Sequence, residues 1–252
     1  MSEKKVISPS KDSICVVIPV YNSEKTIGEL VGKLEQTLSL FREYRIIAVD
    51  DHSTDGTKNT LCELSKKNNR IIGIRFAKNY GQQRAVLEGL RRTKCDYTVI
   101  IDDDLEQNPS DITALYKAIK QGYDVVYGID KNMCSKANHR RIGSKVRDML
   151  FDRLTNKPKE IKVCSFRIMD KKTVEKVVKT DFRKPYISME IFKHTNNIGN
   201  IEVEYKSNSD SGYSLFKLTT LIFNIFLYYA PIKLFKLFRK KGNECKEVSL
   251  CD

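Results

Sequence analysis

The sequence predicts an α/β fold with a mostly parallel central sheet flanked by helices. Three observations carry that expectation. Short β-branched runs alternate with longer stretches from residue 14 to residue 128. Apolar residues in the longer stretches repeat at helical spacing. Polar residues cluster directly after several of the apolar runs. Strands alternating with helices imply a doubly wound parallel sheet, whose ligands bind beyond the carboxyl ends of the strands. Tyr21–Asn22, Asp50–Asp51 and Asp102–Asp104 all follow such ends, so they are expected to converge on one edge of the sheet.

The first strand is "ICVVIPV" (14–20), a β-branched run stopped by Pro19. Ile27, Leu30, Val31, Leu34 and Leu38 then mark one face of a helix. "RIIAV" (45–49) is a second strand, and "STDGT" has turn chemistry before a helix with Leu61 and Leu64 inward. "IIGIRF" (71–76), "YTVII" (97–101) and "DVVYG" (124–128) are further strands, with "GQQRAVLEGLRR" (81–92) a helix between the first two of these. Ser110 after Pro109 is a candidate N-cap for a helix carrying Ile112, Leu115, Tyr116 and Ile119.

After residue 128 the pattern changes. Residues 131–160 are rich in Lys and Arg, with a helical stretch around "RRIGSKVRDMLFDRL"; "SFRIMD" (165–170) reads as a strand, and short apolar stretches run from 186 to "IEVEY". Residues 218–241, "LTTLIFNIFLYYAPIKLFKLFRKK", are amphipathic. Their apolar run is interrupted by Asn224 and Pro231 and ends at Lys233, short of the roughly 20 apolar residues needed to cross a bilayer. Leu234, Phe235, Leu237 and Phe238 interleave with Lys233, Lys236, Arg239, Lys240 and Lys241, a composition that suits a helix lying in a membrane interface. A core-packing helix with a solvated basic end is the other reading.

Lys and Arg number 45 against 32 Asp and Glu, a formal charge of +13 that favours anionic partners. No basic-aromatic motif of the nucleic-acid-binding kind accompanies it. The seven cysteines are scattered without a Cys-x-x-Cys, and there are three histidines. That usage predicts reduced thiols, a cytosolic compartment and no zinc site. The N-terminus lacks an apolar signal core.

Against this basic background, "VIIDDDLEQNPSD" places four carboxylates within five residues at a strand end. Asp102 and Asp104 lie on one side of an extended segment, with Glu106 next in phase. Such a row can share a hard divalent cation, which prefers oxygen ligands and often bridges protein carboxylates to substrate phosphates. It also reads as a solvated acidic turn before a helix N-terminus. A strand ending in Asp-x-Asp opens the haloacid-dehalogenase phosphatases too, but there it belongs to the first strand and Thr or Val stands where this chain has Glu106.

Taken together, "VVIPVYNSEKTI", "VDDHSTDGT", "NYGQQRAVLEGL" and "IDDDLEQNP" resemble the nucleotide-sugar half of family 2 glycosyltransferases with the GT-A fold, a Rossmann-like nucleotide-diphospho-sugar transferase architecture. "RRIGS", "SFRIMD" and "KSNSDSGYSLFKL" resemble the subgroup of dolichyl-phosphate mannose synthases and undecaprenyl-phosphate sugar transferases. The resemblance runs from about residue 14 to 235. It implies that Pro19 and Tyr21 line a nucleotide pocket and that Asp51 hydrogen-bonds the base. Asp102 and Asp104 match the Asp-x-Asp that meets the metal, Mg2+ or Mn2+, and the donor's ribose and diphosphate. Glu106 stands where the subgroup has a Gln ligand. Arg140 and Ser144 match an Arg-x-x-x-Ser that holds the acceptor phosphate, and on a helix their spacing places them on one face. Lys206 stands where the family has Arg, Ser209 where it has Gly, and Lys131 is a looser match to another phosphate-binding Arg. Lysine neutralises a phosphate without arginine's two-pronged geometry. "YNS" replaces the usual "YNE", and the multi-pass membrane helices of many relatives have no counterpart. Arg167 in "SFR" is open between a structural and a phosphate-touching role, as Tyr213 is between packing and binding.

The implied reaction is metal-dependent, inverting transfer of a sugar from a nucleotide-diphosphate sugar to a polyprenyl phosphate at a membrane surface, in cell-surface glycan biosynthesis. Asp104, Arg140 and Ser144 would carry it. The rival in the same fold transfers to a saccharide hydroxyl and needs a carboxylate base, for which Glu190 is the candidate near 186–190. A non-catalytic membrane-associated scaffold and a nucleic-acid-binding protein are the readings from other classes. The expected organisation is a polar extension (1–13), a catalytic domain (14–217, with halves 14–128 and 129–217), the amphipathic segment (218–241) and a flexible tail (242–252). The expected location is the inner face of a membrane, peripherally bound from the cytoplasm.

Overall fold

The computed structural model of the chain describes residues 10–131, 158, 160–180, 185–206, 246–248 and 250–251. Eight strands of these residues form one sheet: β1 (Ser10–Val20), β2 (Phe41–Asp50), β3 (Ile71–Phe76), β4 (Tyr97–Ile100), β5 (Val125–Asp130), β6 (Arg167–Asp170), β7 (Ile198–Val203) and β8 (Glu247–Val248). Their order is β7-β5-β6-β4-β1-β2-β3-β8. The pairs β1–β2, β1–β4, β2–β3 and β5–β7 are parallel. β6 is antiparallel to both its neighbours, β4 and β5, and β8 is antiparallel to β3. The expected mostly parallel sheet is therefore present.

Among the described residues, six helices cover the two faces. α1 (Ile27–Leu38), α2 (Thr57–Lys67) and α4 (Ile112–Ile119) pack on one; α3 (Gln82–Arg91), α5 (Lys171–Val177) and α6 (Ile187–His194) pack on the other. The buried residues of α1 are Ile27, Leu30, Val31, Leu34 and Leu38, the five marked by the sequence spacing. In β1, Ile14, Val16, Ile18 and Val20 face the first core layer and Val17 the second, as strand alternation requires.

Several expectations need correction. Ser110 does not cap α4. Asn108 accepts from the Ser110 amide at 3.2 Å and opens a 3-10 turn, Pro109–Asp111, which runs on into α4. β1 begins at Ser10, inside the supposed polar extension, because the chain there pairs with Phe41 of β2. The end of the supposed flexible tail supplies β8, and Leu250 is buried in the first core layer. Gly73 of β3 makes room for that leucine: a Cβ there would meet Leu250 Cδ2 at 2.2 Å.

The expectation of reduced thiols is overturned for four of the seven cysteines, while Cys164 keeps its thiol, as expected. Disulfides join Cys15 to Cys95, with Cα atoms 5.6 Å apart, and Cys62 to Cys251, 5.3 Å apart. The fold brings together residues 80 and 189 positions apart in sequence, a proximity that spacing does not reveal. Cysteine usage therefore no longer argues for a reducing compartment. The helical stretch around residues 140–154 and the amphipathic segment 218–241 lie outside the described residues. Among the described residues no helix is long and apolar enough to cross a membrane.

Candidate active site

Three strand ends build the site. Beyond β1, β2 and β4 the chain passes through left-handed backbone at non-glycine residues: Asn22 (φ 53°), His52 (φ 67°) and Leu105 (φ 61°). Such conformations are uncommon for side-chain-bearing residues and concentrate at functional loops. Hydrogen bonds at or beside each of them hold these turns. Asn22 donates its amide to Ser53 Oγ at 2.9 Å, and its side-chain oxygen accepts from the Thr54 amide at 2.8 Å. His52 Nδ1 lies 3.2 Å from the Phe76 carbonyl. Leu105 sits between Asp104 and Glu106, where the Glu106 amide donates to Asp104 Oδ1 at 3.0 Å.

The β1, β2 and β4 loops meet in a cleft of about 310 Å³ lined by Pro19, Tyr21, Asp51, Asn79, Gln82 and Asp103, among others. The three residues implied to hold the nucleotide, Pro19, Tyr21 and Asp51, are thus together. Asp51 is buried, and its two oxygens accept from the Tyr80 and Gly81 amides at 2.6 and 2.8 Å. Burial pushes its carboxyl above the usual range, while those two amides act in the opposite sense. Gly81 has φ 94° and ψ 150°, a conformation favourable only to glycine, and it starts α3 at the cleft. Asp50 next door is structural: it is fully buried, pairs with Arg75 and accepts from the Ser53 amide at 2.8 Å.

The acid row divides its work. Asp103 accepts from the Tyr21 amide at 2.9 Å and from Ser23 Oγ, tying the β1 loop to the β4 loop; burial raises its carboxyl. Asp102 Oδ1 accepts from Gln82 Nε2 at 2.8 Å. Its Oδ2 accepts from Gln107 Nε2 at 2.8 Å and from Ser165 Oγ, and its amide donates to Gln107 Oε1 at 2.9 Å. Asp104 is pushed up to about 6, first by desolvation in the turn and then by the charges of Asp102, Glu106 and Asp103, against the stabilising Glu106 amide.

These carboxylates offer only oxygen donors, which suits Mg2+ or Mn2+. Among the described residues, no three acidic, histidine or cysteine groups converge to hold an ion by themselves. Magnesium-like ions commonly take one or two protein carboxylates and complete their shell with substrate phosphate and water. The donor set fits an ion held jointly with a diphosphate.

On the acceptor side the placement is partial. The Lys206 amide donates to the Glu106 carbonyl at 2.8 Å, so the segment after β7 lies directly on the acid loop. Lys206 is exposed. Lys131, at the end of β5, is exposed and ion-paired with Glu204 at 3.3 Å. Arg140, Ser144, Ser209 and Tyr213 lie outside the described residues. Arg167 is buried and donates to Ser188 Oγ at 2.8 Å and to the Cys164 carbonyl at 3.3 Å, a tie between β6 and α6. Glu190, the candidate base of the rival reading, is buried and ion-paired with Lys193 at 2.7 Å.

Sequence reasoning missed Gln82, Asp103, Gln107 and Ser165 as site residues. All four lie inside or beside the quoted motif blocks, but which side chain reaches which is set by the packing of the loops and, for Ser165, by the antiparallel insertion of β6, which no local pattern announces.

Comparisons with known proteins agree with this geometry. The profile of "Glycosyl transferase family 2" matches residues 15–178. The chain is similar to the undecaprenyl-phosphate 4-deoxy-4-formamido-L-arabinose transferase of Photorhabdus laumondii, with 30% identity over 230 residues, 88% of this chain and 70% of that protein. The protein of the same name from Proteus mirabilis is 28% identical over 229 residues, with the same coverage of 88% and 70%. Among solved structures, glucosyl-3-phosphoglycerate synthase from Mycobacterium tuberculosis, in complex with Mn2+, UDP-glucose and phosphoglyceric acid, superposes with a TM-score of 0.64 at 18% identity, covering 86% of this chain and 79% of that one. A mannosyltransferase from Pyrobaculum calidifontis, with GDP-mannose and Mn2+, gives 0.59 at 14% identity, covering 84% and 62%. These likenesses bear out the GT-A fold.

Proposed function

We propose, from the premise that this chain belongs to glycosyl transferase family 2, that it moves a sugar from a nucleotide-diphosphate sugar to a polyprenyl phosphate at a membrane surface. The observation that carries the reading is the Lys206–Glu106 backbone hydrogen bond, which sets the acceptor segment against the acid loop. The relatives named as undecaprenyl-phosphate transferases, matched over most of the chain, support a polyprenyl phosphate as the acceptor.

In this reading the base end of the donor lies in the cleft of Pro19, Tyr21 and Asp51, and Asp51 accepts from the base. Asp102 and Asp104, with Glu106 beside them, would hold Mg2+ or Mn2+ together with the diphosphate; the solved neighbours carrying Mn2+ support the choice of ion. Such a cation, when bound, offsets the charge that grows on the leaving diphosphate. Lys206, with Lys131, Arg140 and Ser144, would orient the acceptor phosphate. That phosphate is anionic near neutral pH, so this chain needs no general base, in keeping with the engagement of Glu190 by Lys193. Catalysis then rests on positioning and charge stabilisation. Direct attack by the phosphate oxygen on the anomeric carbon inverts that centre. The amphipathic segment 218–241 would keep the protein peripheral on the inner face of the membrane, where its lipid acceptor lies.

The test is a radiolabel transfer assay in which a panel of nucleotide sugars is offered with undecaprenyl phosphate and Mg2+ or Mn2+. Labelled lipid from one donor is the expected result, abolished in a folded Asp104→Ala variant. Label appearing only in water-soluble saccharide overturns the lipid-phosphate reading, and a fully active Asp104→Ala chain overturns the metal role.

A further inference from the structure

Gln82 stands apart among the donors to Asp102. A carboxylate presents about four lone-pair sites, two on each oxygen. Oδ2 is committed twice, to Gln107 Nε2 at 2.8 Å and to Ser165 Oγ. Those two donors are also bonded to each other at 3.0 Å, and Gln107 is 3% exposed, so that side is closed. Among the described residues, Oδ1 is committed once, to Gln82 Nε2 at 2.8 Å. Gln82 is exposed and lines the cleft. Its position is fixed from the base end, since it is the first residue of α3 and follows Gly81, whose amide Asp51 Oδ2 holds at 2.8 Å.

We propose that Gln82 is a positioning residue that holds Asp102 so that a single lone pair, on Oδ1, is offered to the donor–cation complex. Asp102 then acts through one oxygen, with the Gln82 amide as its immediate neighbour in the cleft. The run Asp51–Gly81–Gln82–Asp102 links the base end of the cleft to the acid row through three hydrogen-bonded or covalent steps on the same wall. A donor seated against Asp51 thereby meets an acid row already oriented. This inference rests on the nucleotide-sugar reading of the cleft and assigns the role to a residue that reading leaves out.

The charge-neutral probe is Gln82→Met, which keeps the side-chain length and removes the donor. The control is Gln83→Glu, one position along. Gln83 Oε1 accepts from the Ile187 amide at 3.1 Å, joining α3 to α6, and glutamate keeps that acceptor. Mn2+ binding is read by electron paramagnetic resonance on the full chain, alone and with UDP, GDP, CDP or TDP, beside thermal melting and donor kinetics. Gln82→Met is expected to weaken Mn2+ binding in the presence of the preferred diphosphate by about tenfold, the scale of one lost hydrogen bond to a charged group. It should raise the donor KM, with the melting midpoint within about 2 °C of the unaltered chain. Gln82→Asn, a shorter amide, should recover part of the affinity, and Gln83→Glu should change it less than about twofold. Unchanged Mn2+ affinity in Gln82→Met overturns the proposal, and so does a fall in melting temperature with affinity intact, which marks Gln82 as merely structural. If the unaltered chain binds Mn2+ with none of the four diphosphates, the nucleotide-sugar reading itself falls and takes this inference with it.

Discussion

The amide of Lys206 donates to the carbonyl of Glu106 at 2.8 Å, joining the end of β7 to the turn after β4. Residues one hundred positions apart thus form one wall. The backbone fixes where Lys206 stands, and its side chain supplies the charge. Replacing Lys206 by alanine keeps the backbone bond and removes the cation. The expected outcome is a rise in KM for polyprenyl phosphate of about tenfold, with donor KM little changed. Lys206→Arg should retain acceptor affinity or improve it, because arginine presents two donors to a phosphate. Steady-state kinetics with the lipid acceptor varied checks both; equal acceptor KM in all three proteins would remove Lys206 from the acceptor site.

In the proposed reading Asp51 has two duties, holding its loop and binding the nucleotide, which mutation separates. Its oxygens hold the Tyr80 and Gly81 amides, so Asp51→Ala leaves two donors in a crowded loop without partners. A stability loss of about 2 kcal/mol is expected from that alone. Asp51→Asn keeps one acceptor oxygen and should lose less stability, while nucleotide affinity falls in both. Denaturant unfolding alongside calorimetric titration with nucleoside diphosphate tests the pair, and full nucleotide affinity in either variant would free Asp51 of its second duty.

Far from the cleft, Asp12 accepts from Tyr116 Oη at 2.5 Å and from Lys120 Nζ at 2.9 Å. The Tyr116 hydrogen bond, followed by that of Lys120, holds the Asp12 carboxyl below its ordinary value of 3.8. A carboxyl depressed in the folded state stabilises the fold above its unfolded pKa, and the contribution is lost as pH falls through the folded value. Asp12→Asn should therefore cost about 1 kcal/mol at pH 7 and progressively less below about pH 4. Melting the two proteins side by side across pH 3–7 measures the gap. A gap independent of pH would assign the effect to packing.

The proposed membrane association is best probed without truncation. Removing residues from 233 onward would also remove β8, the buried Leu250 and the Cys62–Cys251 link, and so disturb the sheet. Exchanging Lys233, Lys236, Lys240 and Lys241 for glutamine leaves those features in place. Co-sedimentation with acidic liposomes should weaken by more than tenfold, since each basic residue near an anionic surface is worth about 1 kcal/mol. Undiminished sedimentation would dismiss the interfacial role of this segment.

The parallel part of the fold and the meeting of Pro19, Tyr21 and Asp51 in one cleft were legible in the sequence because both follow from local pattern. Five apolar positions at helical spacing define α1, and β3 begins and ends at Ile71 and Phe76 as its apolar run does. Pro19, Tyr21 and Asp51 follow strand ends, and strand ends of a doubly wound sheet converge. What stayed hidden depends on distant partners. The antiparallel setting of β6, the Cys15–Cys95 and Cys62–Cys251 links and the return of residues 247–248 to β3 are pairings that no short window encodes. The same holds for Gln82 and Ser165, which reach Asp102 from 20 and 63 positions away; Gln107, five residues on, is local, but its side-chain direction is not written in the pattern.

The place of β6 bears on how the chain can be divided. β4 and β5 belong to the first half of the sequence, yet among the described residues each pairs with β6, which comes from the second and lies between them. A fragment ending near residue 130 would keep β5 with no neighbour on either side, its ladder groups exposed to any passing strand. The two halves are therefore not independently folding units. A cut within residues 132–157 should leave two pieces that stay associated under native conditions and recombine as partners in fragment complementation, while neither piece expressed alone completes its own sheet.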